Sequence, residues 1–336
     1  MNLIYIKTRI KKSLRYWLDM TLHACFFSRY LFVEDKPSAP VWISIKKALL
    51  IRRINAWRAR KKGFIEINYD NMKKYKNSDT LFNLGSGPSI NDIDDIEWEM
   101  IKSCDSFAFN SFYAHPFVPT YYHSEPSKNP INREIHKECY SLKSIDFKKI
   151  PFILNFNHLS KESDPNFTYI SNCYVSIPIS VSLVDSEQHF AEMIDFFNIH
   201  YGSSMESMLI HHRASIFLAI SFAVMMRYKK IVLAGVDMFD MEYFFFNVDM
   251  YPGEVARKLR EAKLEVNKKC QRESTKNIHR VADPGMNSLP VDKAVVIFNE
   301  KYLKPRGIHL SLLSKKTLLY PRIGEFSKEV LLNSPT

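Results

Sequence analysis

The sequence predicts an α/β fold, with a mostly parallel sheet covered by helices on both faces. Short apolar runs alternate with helical patterns from residue 79 onward, which is the order expected of parallel strands joined by helices. The stretch TLFNLGSGPSIND at 80–92 places an apolar run, a glycine turn and capping side chains in succession. With 336 residues and 46% hydrophobic residues, the chain can bury a large core.

The elements follow from these patterns. Strands are predicted at 80–84, 105–109, 119–123, 151–155, 173–177, 230–234 and 308–312, and helices at 183–198, 204–228 and 291–303. Ligands of such sheets bind beyond the carboxyl ends of the strands. The polar residues that follow each strand are therefore the candidates for a binding site.

The first 75 residues are predicted to be a basic helical extension. Residues 1–62 hold fifteen Lys and Arg against three Asp and Glu, so the net charge of +11 belongs to this segment and the remainder is close to neutral. Helical patterns at 3–25 and 41–60 carry tryptophans and flank a Pro-Ser-Ala-Pro break at 37–40. Basic amphipathic helices of this kind bind anionic membrane surfaces, and a helical pair docked on the domain is the alternative.

Composition excludes several other classes. A nearly neutral remainder argues against a domain that grips nucleic acid, which needs a basic groove. Five widely spaced cysteines without a CxxC pair indicate neither a disulfide framework nor a zinc site, and they favour a reducing cytoplasm. No apolar run is long enough for a spanning helix, and charges interrupt the N-terminal apolar clusters as they would not in a signal peptide.

The glycine turn is the first candidate site. Gly85 and Gly87 allow tight turning or close approach of another molecule, and Pro88 suits a helix start. A strand, glycine turn and helix start in this order presents backbone N–H groups to an anion. A strand-to-helix turn without a ligand has the same sequence appearance.

Further polar residues follow the other strands. Their hydroxyl, amide and backbone N–H groups are of the kind that bind a ribose, a base and a phosphate. The candidates at the strand ends and at the start of a later helix are Ser86, Ser89, Asn110, Glu125, Ser215, Gly235 and Asp237.

The blocks GSGPSI, FAFNSFY, YYHSEPS and RAS–x19–GVDMF, taken in order, resemble the bacterial sialyltransferases of glycosyltransferase family 42. The resemblance covers about residues 79–315. It implies a Rossmann-like, GT-A-like variant domain over 76–320, with a lid at about 239–275 and a tail at 321–336. It also implies inverting transfer of a nonulosonic acid from a CMP-sugar, with no cofactor and no metal.

Roles are carried over by motif. The resemblance places the nucleotide phosphate and sugar at Gly85, Ser86, Gly87 and Ser89. It places the cytidine or the donor at Asn110, the donor carboxylate at Ser215, and the cytidine ribose and base at Gly235 and Asp237. Glu125 stands where the family has asparagine, and Phe239 and Lys276 stand where it has tyrosines. Tyr243 begins an aromatic cluster in the lid, where aromatic side chains exclude water.

His279 is the candidate general base. Transfer to a sugar hydroxyl needs a group that accepts a proton near neutral pH, and histidine is suited to this. The resemblance places the base beyond the lid and before the last helix, where His279 lies. His123, His211 and His212 are rival candidates.

Three functions are weighed. The first is a sialyltransferase-like enzyme of lipopolysaccharide or capsule biosynthesis, acting on a lipid-linked saccharide at the cytoplasmic face of the inner membrane. A variant of this first function uses a donor such as CMP-Kdo. The others are a flagellin glycosyltransferase or a pyrophosphokinase that shares the GxGPS domain, and a basic membrane adaptor.

Overall fold

The computed structural model describes residues 37–126, 130–159, 172–181, 184–239, 242–271, 281–283 and 288–327. The helix predicted over 3–25 lies outside these residues, as do His279 and Lys276.

Seven strands form one sheet in which every neighbouring pair is parallel. In chain order, the strands are β1 Thr80–Leu84, β2 Asp105–Phe109, β3 Tyr121–Ser124, β4 Phe152–Asn155, β5 Cys173–Ser176, β6 Ile179–Ser180, β7 Ile210–His211, β8 Lys230–Ala234 and β9 His309–Leu312. The order across the sheet is β5-β4-β3-β2-β1-β8-β9, while β6 and β7 form a separate parallel pair. The predicted parallel sheet is confirmed, with strand bounds within two residues of those expected.

The longer described helices are α1 Ala39–Lys61, α2 Asp95–Ser103, α3 Pro130–Leu142, α4 Glu187–Tyr201, α5 Ser215–Met225, α6 Glu254–Gln271 and α7 Val291–Phe298. Single-turn α-helices lie at Tyr69–Met72 and Ser144–Phe147, and α7 continues as a π-helical turn at Asn299–Leu303. None of the helices in the described ranges is long and apolar enough to cross a bilayer.

The helix predicted over 204–228 was placed eleven residues too early. The chain at 210–211 forms β7 instead, because Ile210 and His211 pair with Ile179 and Ser180 of β6. The α5 helix begins at Ser215, after Arg213 has taken a left-handed φ of 56°. The start of α5 therefore lies at the carboxyl edge of the sheet.

Alternate residues of each central strand enter separate cores on the two faces of the sheet. Leu81 of β1 and Leu233 of β8 belong to one cluster, with buried residues of α1, α4, α5 and α7. Phe82 and Val232 belong to the other, with buried residues of α2, α3 and α6. The period of two along a strand therefore explains why both faces carry helices.

The α1 helix is part of this fold. Val41, Trp42 and Ile45 are buried in the core, and the Trp42 ring meets Phe196 of α4 edge-on at 5.3 Å between centroids. This buried face cannot contact a membrane, so the docked alternative applies to it. Ile54 and Trp57 on another part of α1 remain exposed, at 40% and 52%.

The sheet has a topological switch point at β1. The chain runs outward from β1 through β2, β3, β4 and β5 on one side, and β8 and β9 continue the sheet on the other. Ligands of parallel sheets bind at the carboxyl ends of the strands at such a switch point.

Candidate active site

A cavity of about 500 Å³ lies at this switch point. Its walls come from the loops after β1, β2, β3 and β8, from the start of α5, and from the segment that leads into α6. Of the residues predicted from sequence, those that line it are Gly85, Ser86, Gly87, Asn110, Glu125, Ser215, Gly235, Asp237 and Tyr243. The structure thus brings together residues that lie as much as 158 positions apart in the chain.

The glycines are required by packing between the β1 and β8 loops. A Cβ on Gly85 would lie 2.3 Å from the carbonyl oxygen of Gly235, and one on Gly87 would lie 2.5 Å from Asp237 Oδ2. Gly235 itself has a φ of 67°, in the left-handed region that favours glycine. The close approach is therefore made within the chain, by the Gly235 backbone and the Asp237 side chain.

The backbone N–H groups of the glycine loop are also used internally. Those of Gly85 and Gly87 donate to the carbonyl oxygens of Ala234 and Gly235, both at 2.8 Å. The N–H of Ser89 donates to Asp237 Oδ2 at 2.8 Å. The neighbouring strand end therefore occupies these three N–H groups.

Asp237 holds the loop in place. Its buried carboxylate accepts the Ser89 hydroxyl at 2.5 Å as well as the Ser89 N–H, so one side chain joins the β8 end to the β1 end. Ser89 lies behind the cavity wall in this arrangement. Asp237 remains at the wall, with its carboxylate already engaged by the loop.

Ser86 and Asn110 offer polar groups to the cavity. The Ser86 hydroxyl is buried and has no hydrogen-bond partner among the described residues. Asn110 follows β2 with a left-handed φ of 57°, and its Nδ2 donates to the Ser215 hydroxyl at 2.8 Å. Asparagine tolerates this conformation better than most residues, which explains its place at the end of the strand.

The start of α5 faces the cavity. The N-cap residue, Ala214, has no side-chain hydrogen bond to the first turn, and Ala214, Ser215 and Ile216 line the wall. The backbone N–H groups of a first helical turn without a side-chain cap attract negative charge. An anion is thus favoured at α5 rather than at the glycine loop.

Glu125, at the end of β3, is mostly buried and lies beside histidines. Its Oε1 is 3.0 Å from His211 Nε2 and accepts the Asn155 side-chain amide at 3.4 Å. Burial alone would raise the pKa of Glu125, but the nearby histidines, His211 foremost, lower it below its ordinary value. The side chain is therefore a carboxylate at neutral pH.

The rival histidines have different settings. His212 is buried and bonds through Nε2 to the Leu289 carbonyl oxygen at 2.7 Å, and burial lowers its pKa. His123 is fully buried under the site, and burial lowers its pKa to about 4. Both are held within the protein, whereas His279 lies outside the described residues.

The aromatic cluster predicted in the lid is divided between core and cavity. Phe244 and Phe245 are fully buried, whereas Tyr243 lines the cavity and stacks on Phe245 at 5.2 Å between centroids. Phe239 is 39% exposed and is not among the lining residues. The aromatic cluster thus has a hydrophobic base and presents one tyrosine to the cavity.

Two cationic side chains at the wall were not given roles from sequence. Lys263 of α6 lines the cavity with its Nζ 4.8 Å from the centre of the Tyr243 ring. Arg213 also lines it, and its guanidinium donates to the carbonyl oxygens of Ser288 and Asp283. Arg213 could have been found from its place two residues before Ser215, but Lys263 lies in a charged helix without a distinguishing pattern.

The Asp92-x-Asp94 pair, which follows the glycine loop, has a structural role. Asp94 caps α2 by accepting the Glu97 N–H at 2.7 Å, and Asp92 pairs with Lys316 at 2.9 Å.

Comparisons with known proteins give a partial answer. No protein-family model matches the chain, and no curated protein matches it. Among solved structures, the sialyltransferase CstII from Campylobacter jejuni with CMP is similar at 16% identity and a TM-score of 0.36, covering 73% of this chain and 84% of that chain. Its complex with CMP-3FNeuAc gives 17% identity, a TM-score of 0.38, and coverage of 76% and 88%.

Proposed function

We propose that this chain is an inverting glycosyltransferase that moves a nonulosonic acid, a sialic acid-like sugar, from a CMP-sugar donor to a saccharide acceptor. The observation that carries the proposal is the convergence of the motif residues on one cavity. Residues after β1, β2, β3 and β8 and at the start of α5 surround the same space at the switch point of a parallel sheet. Nucleotide ligands bind at this place in such sheets.

The cavity suits an anionic nucleotide-sugar. The unpartnered Ser86 hydroxyl and the Asn110 amide are neutral polar groups of the kind that bind a ribose or a pyrimidine base. The start of α5 and the Lys263 ammonium favour a phosphate or a sugar carboxylate. A CMP-linked acid sugar carries both of these anions.

The reaction is a displacement at the anomeric carbon of the donor sugar. The acceptor hydroxyl oxygen forms the new bond, the bond to the phosphate oxygen of CMP breaks, and the hydroxyl proton passes to a base. We propose His279 as that base and Lys276 as a cation for the departing phosphate. Lys263, which lines the cavity, could also stabilise the departing phosphate.

We further propose that the acceptor is a lipid-linked glycan at the cytoplasmic face of the inner membrane, in the synthesis of a surface polymer. Ile51, Ile54 and Trp57 of α1 are 46%, 40% and 52% exposed, and the basic side chains Arg58 and Lys61 lie among them. An exposed apolar and basic helix face binds anionic bilayers.

Thermal shift with a nucleotide panel tests the donor class. CMP at about 100 times its dissociation constant is expected to add about 2.7 kcal/mol of stability without added Mg²⁺, and more than UDP, GDP or ATP at the same concentration. Stabilisation only by ATP with Mg²⁺ would instead indicate a pyrophosphokinase. No shift with any nucleotide would contradict the enzyme proposal and favour the adaptor.

A single substitution locates the nucleotide in the cavity. Ser86→Ala removes the unpartnered hydroxyl, and the loss of one hydrogen bond is expected to weaken CMP binding by about tenfold or less, equivalent to roughly 0.5–1.5 kcal/mol. Ser103→Ala is the matched control, since Ser103 is exposed and bonds only within its own helix end. Equal CMP affinity of both variants and the unaltered chain would place the nucleotide elsewhere.

A further inference from the structure

A carboxylate and two imidazoles meet beside the cavity, at the carboxyl edge of the sheet. One oxygen of Glu125, one ring nitrogen of His158 and one of His211 all lie within 4.8 Å of one another. Glu125 follows β3, His158 ends the turn after β4, and His211 ends β7. Three separate elements therefore deliver these side chains to one point.

The contact between Glu125 and His211 is close but is not a hydrogen bond. His211 Nε2 lies 3.0 Å from Glu125 Oε1, yet this nitrogen has no partner of hydrogen-bond geometry among the described residues. Two atoms that ligate the same tetrahedral ion at 2.0–2.1 Å lie about 3.3 Å apart, with their lone pairs directed at the ion rather than at each other. The 3.0 Å separation of Glu125 Oε1 and His211 Nε2 is close to this spacing.

The cluster is largely shielded from solvent and is oriented by a neutral neighbour. The Glu125 and His211 side chains are only 16% and 13% exposed. The contact to Glu125 from the β4 end is a neutral one, the 3.4 Å bond from the Asn155 amide, whose own oxygen accepts the Asn157 N–H. Asn155 thus orients the carboxylate, as outer-shell partners of metal ligands do.

From this geometry we infer that Glu125, His158 and His211 form a binding site for a divalent transition-metal ion. Two imidazoles and one carboxylate suit zinc, cobalt or ferrous iron, whereas magnesium and calcium prefer oxygen ligands alone. Three protein ligands would leave a coordination position open, and one of the three, Glu125, lines the cavity. The site stands independently of the proposed glycosyl transfer, although a bound cation would offset the Glu125 charge in a cavity that is to receive an anion.

Cobalt titration of the full chain tests the site directly. Tag-free protein is dialysed against a chelator and titrated with Co²⁺, with visible absorption and bound metal per chain as readouts, and then with Zn²⁺ in competition. The unaltered chain is expected to bind one ion per chain. Glu125→Gln, His158→Gln and His211→Gln are each expected to lose this binding.

His189→Gln is the matched control. His189 also lies beside a carboxylate, with Nδ1 2.7 Å from Asp185 Oδ1, but that pair is an exposed two-residue contact within one helix end. This variant is expected to bind one ion as the unaltered chain does. His158→Gln decides the matter if Glu125→Gln fails to fold, since His158 is partly exposed on a short turn.

Two results would overturn the site. One is the absence of Co²⁺ and Zn²⁺ binding to the unaltered chain, which would leave Glu125 and His211 as an ion pair. The other is equal loss of binding in His189→Gln and His158→Gln, which would mean that the ion binds surface histidines. Neither readout involves a nucleotide, so failure here is distinct from failure of the proposed function.

Discussion

Gly85→Ala is expected to destabilise the fold rather than to block a ligand. The added Cβ would lie 2.3 Å from the Gly235 carbonyl oxygen and 2.9 Å from its carbonyl carbon, so the backbone itself must move. Moving it also lengthens the 2.8 Å bond from the Gly85 N–H to the Ala234 oxygen. Overpacking costs about 1–3 kcal/mol and a lost hydrogen bond about 0.5–1.5 kcal/mol, so the expected loss is about 2–4 kcal/mol.

Urea unfolding, followed by circular dichroism, measures this loss against a matched glycine. Gly253→Ala is the control, because no atom lies within 4 Å of its added Cβ and its φ is outside the left-handed region. It is expected to change the free energy of unfolding by less than about 0.5 kcal/mol. If Gly85→Ala were equally neutral and only CMP binding fell, Gly85 would be reserved for a ligand and the packing explanation would be refuted.

Three further predictions concern the same framework. Trp42→Ala is expected to cost about 3–5 kcal/mol of stability because Trp42 is buried. Trp57→Ala, at an exposed position, should leave the free energy of unfolding unchanged and reduce binding to anionic vesicles. The reverse pattern would contradict the assignment of the α1 faces. Lowering the pH from 7 to 5 should reduce the free energy of unfolding by about 2 kcal/mol for each of His115 and His136. The reason is that burial lowers both pKa values from 6.5 to about 4, so that only the unfolded chain binds protons in this range. His136→Asn should make the free energy of unfolding, measured in urea, depend less on pH, and an unaltered pH dependence would refute this. Asp237→Asn should weaken the hydrogen bonds that hold the loop after β1, and should therefore lower both the melting temperature and the affinity for CMP. A loss of CMP binding at an unchanged melting temperature would show that the carboxylate acts on the ligand alone.

The sheet could be predicted from the sequence because its central strands are buried on both faces. The runs at β1, β2 and β8 are five residues long with few polar side chains, and their predicted bounds agree with the structure. A continuous apolar run bounded by turn residues is a local signal, so no tertiary information is needed.

The start of α5 could not be predicted in the same way. The residues before Ser215 extend the apolar helical pattern, and what ends it is the pairing of β7 with β6, thirty-one residues earlier. Tertiary pairing overrides a local pattern when the two disagree. The apolar pattern extended the helix eleven residues ahead of Ser215, whereas the structure begins the helix at Ser215.

The role of the glycines illustrates a second limit. Sequence indicates that Gly85 and Gly87 need close approach, but not which atoms approach. The answer depends on the pairing of β1 with β8, which places Gly235 and Asp237 against the glycine loop. The cluster of Glu125, His158 and His211 depends similarly on three distant elements, and no spacing in the chain reveals it.

The central claim is that this cavity transfers an acid sugar from a CMP donor, and the release of CMP tests it most directly. Purified chain is incubated with a panel of saccharide acceptors and with CMP-linked nonulosonic acids, and with UDP- and GDP-sugars in parallel, while nucleotide release is followed by chromatography. We predict that CMP is released well above the spontaneous rate and that Asn110→Ala, which removes the amide at the β2 end, slows it. Release of UDP or GDP instead of CMP, or CMP release no faster than in buffer alone, would contradict the account.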